Sequence, residues 1–421
     1  MTSAPALRRW AIGGAAIIAA LLFSPGLVAA APGGQDARID AWMAANTAPG
    51  RYPGMVALVW QGDRLLVNRA IGHRDIARTQ PMREDAIFRI YSMTKPVASV
   101  ALLQLLEEGR VSLDDPVSRY LPGFDSPMLV AGGTEDAPVL ARSPSAPTLR
   151  NLLTHTSGLS EDAQAHPVAA ALLARAGLDD AISLEDAARR LASVPLAEAP
   201  GTHFHYAGAN TELVSRVVEA VSGKRFADVL AERIFVPLRM RDTGFEVPSS
   251  QRGRVVDLAT TSTEGQLVLA DTSSARQPGT RLRPRDSGAG GLYSTAPDYL
   301  RFARMLANDG ELDGARVLGR KTVELMRQDQ LGAFDPPLRG PSRGEGFGLG
   351  VGVVVDVAAR GRPGSAGQYG WPGAASTWFT IDPQEHVVAI LMAQCLKSGD
   401  PARDLPSLSA PFQALVYGVL P

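Results

Sequence analysis

Cysteine is almost absent. Cys395 is the only one in 421 residues, so the chain builds no internal disulfide and offers no cysteine for lipid attachment after an export signal. Lysine is nearly as rare: 4 of the 42 basic residues are Lys and the rest are Arg. Neither sign of charge prevails. The net charge is −1 and no basic run exceeds a few residues, which leaves no footprint for nucleic acid. Internal repeats, low-complexity tracts and a linker between independent domains are also missing. The composition is that of an ordinary globular protein.

The first thirty residues are expected to lie outside the fold. Arg8 and Arg9 precede an apolar run from Trp10 to Val28, and the small residues Ala29 to Ala31 follow. This pattern predicts a secretory signal peptide (residues 1–30) cleaved after Ala30. Gly and Pro within the run, and no flanking stop signal, argue against a retained membrane anchor. Arg-Arg-Trp is a poor twin-arginine match, and the export route stays open. Export without disulfides suits a bacterial periplasm or the exterior. Residues 31–421 are enough for one large domain or two intimately joined ones.

Met55–Trp60 and Arg64–Ala70, separated by Gln61-Gly62-Asp63, read as a β-hairpin. Residues 113–121 read as a turn plus a short helix. Residues 123–147, rich in Gly, Pro and Ser, read as a surface excursion and a candidate lid. Residues 148–153 form a short helix, and further helices are expected at about 183–193, 210–222 and 225–235. Strand patterns return at 347–357, 376–381 and 387–393, and a helix closes the chain at 410–419. A β start, an α middle and a β end predict an α+β fold. Its antiparallel sheet is built from both termini (about 38–90 plus 288–421) and flanked by helices, with a mainly helical part (about 91–287) inserted.

One stretch organises the chain: Tyr91-Ser92-Met93-Thr94-Lys95-Pro96. The following Val97–Leu106 is apolar nearly all round, as in a helix buried on most sides, and Gly109 follows its end. Pro96 is tolerated only in a first turn, so the helix is expected to begin near Ser92. Ser92 and Lys95 then share a face. A hydroxyl at a helix start, with an amine one turn on in apolar surroundings, is how a serine nucleophile is activated. Desolvation and the positive helix end favour the neutral amine, which takes the serine proton. With 28 serines and 4 lysines, accidental Ser-x-x-Lys matches number ~0.27 per chain, so the tetrapeptide alone decides nothing. Its placement does, since a scarce lysine stands at the mouth of the most apolar helix, where arginine could not titrate.

Two further stretches carry candidate chemistry. Tyr206, in His203-Phe-His-Tyr-Ala-Gly208, precedes a helix, and a tyrosine near a lysine amine can relay a proton. Gly370-Trp-Pro-Gly-Ala374 is expected to open the strand containing Thr377–Thr380. There Gly373 permits close approach of a substrate carbonyl, and the Ala374 N–H, with that of Ser92, makes a candidate oxyanion hole.

These three stretches, in this order, resemble the serine β-lactamase and penicillin-binding-protein superfamily, and within it the class C β-lactamase and family VIII carboxylesterase branch. Leu152–Leu159, Gly291–Tyr299 and Trp378–Pro383 are similar to family segments, and the resemblance spans about residues 38–417. It implies a β-lactamase/transpeptidase-like fold and an acyl-enzyme mechanism without a cofactor. In that mechanism Ser92 is the nucleophile, Lys95 and Tyr206 share the proton work, and the N–H groups of Ser92 and Ala374 hold the oxyanion. Two departures bear on substrate. Gly208 stands where β-lactamases of this branch carry an amide-gripping Asn, and Trp371 stands where they carry a carboxylate-attracting Lys. Trp371, Gly373 and Gly208 are therefore the expected substrate-binding positions, and they favour an uncharged ester over a β-lactam acid. An arginine from the crowd at 276–285 could restore the missing charge.

Other matches fail. Gly340-Pro-Ser342-Arg-Gly344 fits Gly-x-Ser-x-Gly but lacks the strand before and the helix after that an α/β-hydrolase elbow needs. His203 and His205 resemble a metal pair, but no third ligand lies near them in sequence, so no metal is expected. His73, His155, His166 and His386 are scattered and carry no assigned role. The expectation is a periplasmic or secreted serine hydrolase, a carboxylesterase on small to medium esters. Its rivals are a β-lactamase or D-Ala-type peptidase, and a catalytically dead peptidoglycan- or ligand-binding relative. Its physiological substrate, acyl length and oligomeric state are open.

Overall fold

The computed structural model describes residues 36–420, and the expected signal peptide lies outside them. Among the described residues no helix is long and apolar enough to cross a membrane.

Strands β1 (Gly54–Gln61) and β2 (Arg64–Gly72) form the expected hairpin, turning through Gly62 at φ 58°. The C-terminal part adds β3 (Glu345–Phe347), β4 (Gly352–Val354), β5 (Tyr369–Gly373), β6 (Thr377–Asp382) and β7 (Val387–Met392). The seven make one antiparallel sheet in the order β3-β4-β5-β6-β7-β1-β2. The two termini meet where β1 pairs with β7, from Val56 opposite Met392 to Gln61 opposite Val387.

The sheet is covered on both faces, as the two-residue period of its strands requires. Val387, Ala389 and Leu391 face one way with Met55, Ala57 and Val59, against Ile39 and Met43 of α1 (Asp36–Asn46) and Phe412 and Val416 of α5 (Ser409–Val419). Val388, Ile390 and Met392 face the other way with Val56 and Leu58, into a larger core. That core holds α2 (Thr94–Glu107), α3 (Gly208–Ser222) and α4 (Ala296–Ala307), with α4 lying across β6, β7 and β1. The inserted mainly helical part therefore shares one apolar core with the sheet.

Three local expectations need correcting. The apolar run at 347–357 is not one strand; the chain reverses at 348–351 between β3 and β4. Gly350 takes φ +87° there and lies so close to α2 that a Cβ would meet the Ser99 Oγ at 1.9 Å. Trp371-Pro-Gly373 ends β5 and does not open β6, so Ala374 falls in the turn between them. Residues 123–147 contain a hairpin, Met128–Gly133 with Pro138–Arg142, tied to Leu196 by the Val130 N–H. None of them lines the cavity described below. Thr148 and Asn151 form a reciprocal cap for the short helix Leu149–Leu153.

The Gly350 contact is testable. Gly350→Ala adds both a left-handed Cβ and a clash with Ser99, whereas Gly361 is left-handed in open space. We expect Gly361→Ala to cost about 1 kcal/mol and Gly350→Ala at least about 3 kcal/mol by urea unfolding. Equal losses would remove Gly350 as the reason for the split strand.

Candidate functional site

Tyr91–Met93 form a single 3₁₀ turn that runs straight into α2, so Ser92 sits just ahead of the α-helix and not in its first turn. Pro96 lies within the first turn of α2, where its missing N–H costs nothing. The serine is held from several sides. Tyr91 is left-handed at φ 44°, an uncommon state for a bulky residue. Its neighbour Ile90 donates to the Leu292 carbonyl at 3.0 Å, and the Met93 carbonyl accepts the buried Tyr299 hydroxyl at 2.8 Å. Gly373 closes the remaining side. A Cβ there would come within 2.4 Å of the Ile90 carbonyl and 2.2 Å of Thr377 Oγ1. The close approach that Gly373 permits is thus between this chain's own segments, β5 against the serine turn.

Lys95 is 3% exposed and its Nζ lies 3.2 Å from Ser92 Oγ. The same amine donates to the Ala289 carbonyl at 2.6 Å and stands 4.9 Å from the centre of the Tyr206 ring. Among the described residues it forms no ion pair with a carboxylate. The expected trio therefore converges. The turn carrying Ala374 borders the same cavity as Ser92, Lys95 and Tyr206, about 510 Å³ in volume. Among the described residues neither the Ser92 nor the Ala374 N–H donates to a protein acceptor, so both are available to a ligand.

Trp371 is placed differently from the expectation. It does not line this cavity; its indole lies against Gly352, where a Cβ would meet the ring at 2.9 Å, and against Phe347, 5.0 Å away edge-on. Its Nε1–H donates to the Tyr206 hydroxyl oxygen at 3.1 Å. Gly208, the first residue of α3, does line the cavity, and its N–H donates to Glu161 Oε1 at 2.7 Å.

Basic and acidic side chains share the wall. Lys95, Arg283 and Arg285 face Glu161, Asp179 and Glu212 around the cavity. Arg283 pairs with Asp179 at 3.1 Å. Arg285 grips Glu212 through two hydrogen bonds of 3.1 and 3.0 Å, both side chains being buried, and Ser287 adds its hydroxyl to the same carboxylate. Arg276 and Arg281 pair with Asp271 and Asp286. Each arginine of the 276–285 crowd thus already has an acid.

His155, given no role from sequence, is fully buried behind Tyr206, with ring centres 4.6 Å apart. Its Nδ1 accepts the Ala207 N–H at 3.3 Å and lies 3.2 Å from Asn210 Nδ2. Burial, with Lys95 adding to it, holds its pKa well below the usual histidine value. It is a neutral acceptor that fixes the backbone on both sides of Tyr206, since its own carbonyl takes the His205 N–H at 2.8 Å. Its place in Leu152–Leu159, singled out as a family segment, was the available signal. Ser342 is an exposed loop residue whose hydroxyl donates to Glu345 at 2.5 Å, as the decoy reading expected.

A model of the Beta-lactamase family matches residues 39–410. The chain belongs to the β-lactamase family. This family member is 34% identical over 365 residues to the esterase EstB of Burkholderia gladioli, covering 82% of this chain and 86% of that one. It is 30% identical to the lovastatin esterase of Penicillium rubens, over 80% and 88% of the two chains. Its fold matches unliganded simvastatin synthase from Aspergillus terreus with a TM-score of 0.76 at 23% identity, over 92% of this chain and 98% of that one. The protein is a serine hydrolase with a β-lactamase/transpeptidase-like fold.

The buried histidine gives a pH test. A folded-state pKa below the unfolded value of about 6.5 means the unfolded chain takes up a proton first as pH falls. Stability from His155 is therefore present above about pH 6.5 and lost below it. Between pH 7 and 5.5 the wild type should lose about 1 kcal/mol more than His155→Gln, read by urea unfolding at both values. Equal losses would mean that His155 is not held neutral.

Proposed function

We propose that this serine hydrolase is a carboxylesterase acting on uncharged esters through an acyl-enzyme on Ser92, and that it works in the periplasm or outside the cell. The observation that carries the reading is the 3.2 Å approach of Ser92 Oγ to a lysine amine that is buried without a counter-ion. As the free amine, Lys95 takes the Ser92 proton while Oγ adds to the ester carbonyl. The oxyanion is met by the N–H groups of Ser92 and Ala374. Collapse breaks the bond to the alcohol oxygen, which leaves with a proton supplied by Lys95 or Tyr206. Water then attacks the acyl-Ser92 ester by the same steps in reverse order, releasing the acid.

The preference for a neutral ester is supported by the pairing of the wall's arginines with acids. A substrate carboxylate entering the cavity finds Arg283 and Arg285 already matched by acids, with Glu161 alongside. Taking Arg285 would strip the buried Glu212 of its partner, which is costly, whereas the exposed Arg283–Asp179 pair is weak. Trp371, where the β-lactamases carry a Lys, adds no charge. EstB and the lovastatin esterase, both esterases by name, agree with this reading. The cellular location rests on the residue 1–30 pattern alone.

Side-by-side kinetics test the substrate class. The kcat/KM for p-nitrophenyl butyrate should exceed that for nitrocefin by about a hundredfold or more. Lys95→Ala and Tyr206→Phe should each lower kcat on the ester by about a hundredfold, with a combined loss smaller than the product. Faster turnover of nitrocefin than of the ester would make the protein a β-lactamase.

A further inference from the structure

His203-x-His205 lacked a third ligand in the sequence, but the fold supplies one. His166 and Glu198 converge on His205, and the ligand atoms of these three residues all lie within 4.8 Å of one another. Glu198 Oε2 is 3.0 Å from His205 Nε2, and its Oε1 is 3.8 Å from His166 Nε2. A tetrahedral zinc with bonds near 2.05 Å needs ligand atoms about 3.3 Å apart, and these separations bracket that value. His203 also reaches the Glu198 carboxylate through Nδ1, so three of the chain's six histidines surround one glutamate. Among the described residues this is the one such group.

The frame is built before any ion arrives. Residues 197–205 are laced to 155–158 by the Ala197 N–H to the Gly158 carbonyl (2.7 Å), Gly201 to Thr156 (2.8 Å) and His205 to His155 (2.8 Å). Gly158, at φ +88°, lets Glu198 pass so close that a Cβ would lie 2.1 Å from its carbonyl oxygen. His166 is fixed at the start of the helix Pro167–Arg175, and its backbone N–H donates to the Asp162 carbonyl at 2.8 Å. The three side chains are half-buried, and none lines the Ser92 cavity.

We propose that His166, Glu198 and His205 bind one divalent transition-metal ion, with Zn²⁺ the best match to two imidazoles and a carboxylate. Water or His203 would complete the coordination. The ion would tie the segment carrying Glu161 to the loop segment carrying Tyr206, and so brace the cavity from behind without touching substrate. This proposal stands apart from the esterase reading, because metal binding is read without turnover.

The test uses tag-free protein stripped of metal by chelator. Calorimetric titration with Zn²⁺ should give one site per chain of micromolar affinity or tighter. The Co²⁺ form should show visible d–d absorption, and Zn²⁺ should raise the melting temperature. His166→Ala, His205→Ala and the shape-preserving Glu198→Gln should each weaken binding by about a hundredfold, since removing even an outer partner of a ligand costs 10–100-fold. His386→Ala, remote from the cluster, should bind as the wild type does, and circular dichroism checks that each variant is folded. No saturable binding, or binding that the folded Glu198→Gln and His166→Ala variants retain in full, would overturn the proposal.

Discussion

The site depends on an amine taken out of water and given no counter-ion. Lys95 meets a serine hydroxyl, one carbonyl and the ring of Tyr206, and no carboxylate. An ion pair would hold the ammonium's proton, so a lysine that must accept one has to be dry and unpaired. Burying α2 on most sides makes it dry. Arg283 and Arg285 occupy Asp179 and Glu212, two of the three acids on the cavity wall. Much of the surrounding structure then serves to hold Ser92 within reach of that amine. The left-handed Tyr91, the Tyr299 bond to Met93 and the close passage of Gly373 over Ile90 all fix the one turn that carries it.

The sheet contributes more than a platform. Its β5–β6 turn places Ala374 at the cavity, while the indole one side-chain layer away bonds the Tyr206 hydroxyl. Tyr206 is thereby fixed from two directions, by Trp371 at its oxygen and by His155 at its backbone. A charged lysine at position 371 would serve the opening of the cavity in a β-lactamase. Tryptophan here turns the same position inward, to orient a proton-carrying phenol.

Local chemistry was legible in the sequence and long-range contact was not. The Ser92–Lys95 spacing, Pro96 in a first turn and the Gly62 hairpin are short-range constraints, and each came out as read. The split at Gly350 was invisible because its cause, the Ser99 side chain, lies about 250 residues away in α2. Trp371 was read as a wall of the substrate site because nothing local shows that its N–H faces a phenol 165 residues back. His155 and Glu198 escaped for the same reason: a buried neutral acceptor and a shared carboxylate are defined by what surrounds them. Gly208 lines the cavity, but Glu161, which reaches its N–H from a separate loop, was not anticipated.

The central claim is that Ser92 carries the acyl group. The direct measurement is mass spectrometry of the protein quenched with acid within milliseconds of mixing with p-nitrophenyl butyrate, followed by tryptic mapping. The account predicts one butyryl group on the peptide spanning residues 90–110, located at Ser92. A butyryl group at Ser342 or at any other residue, with residues 90–110 unmodified during turnover, would contradict it.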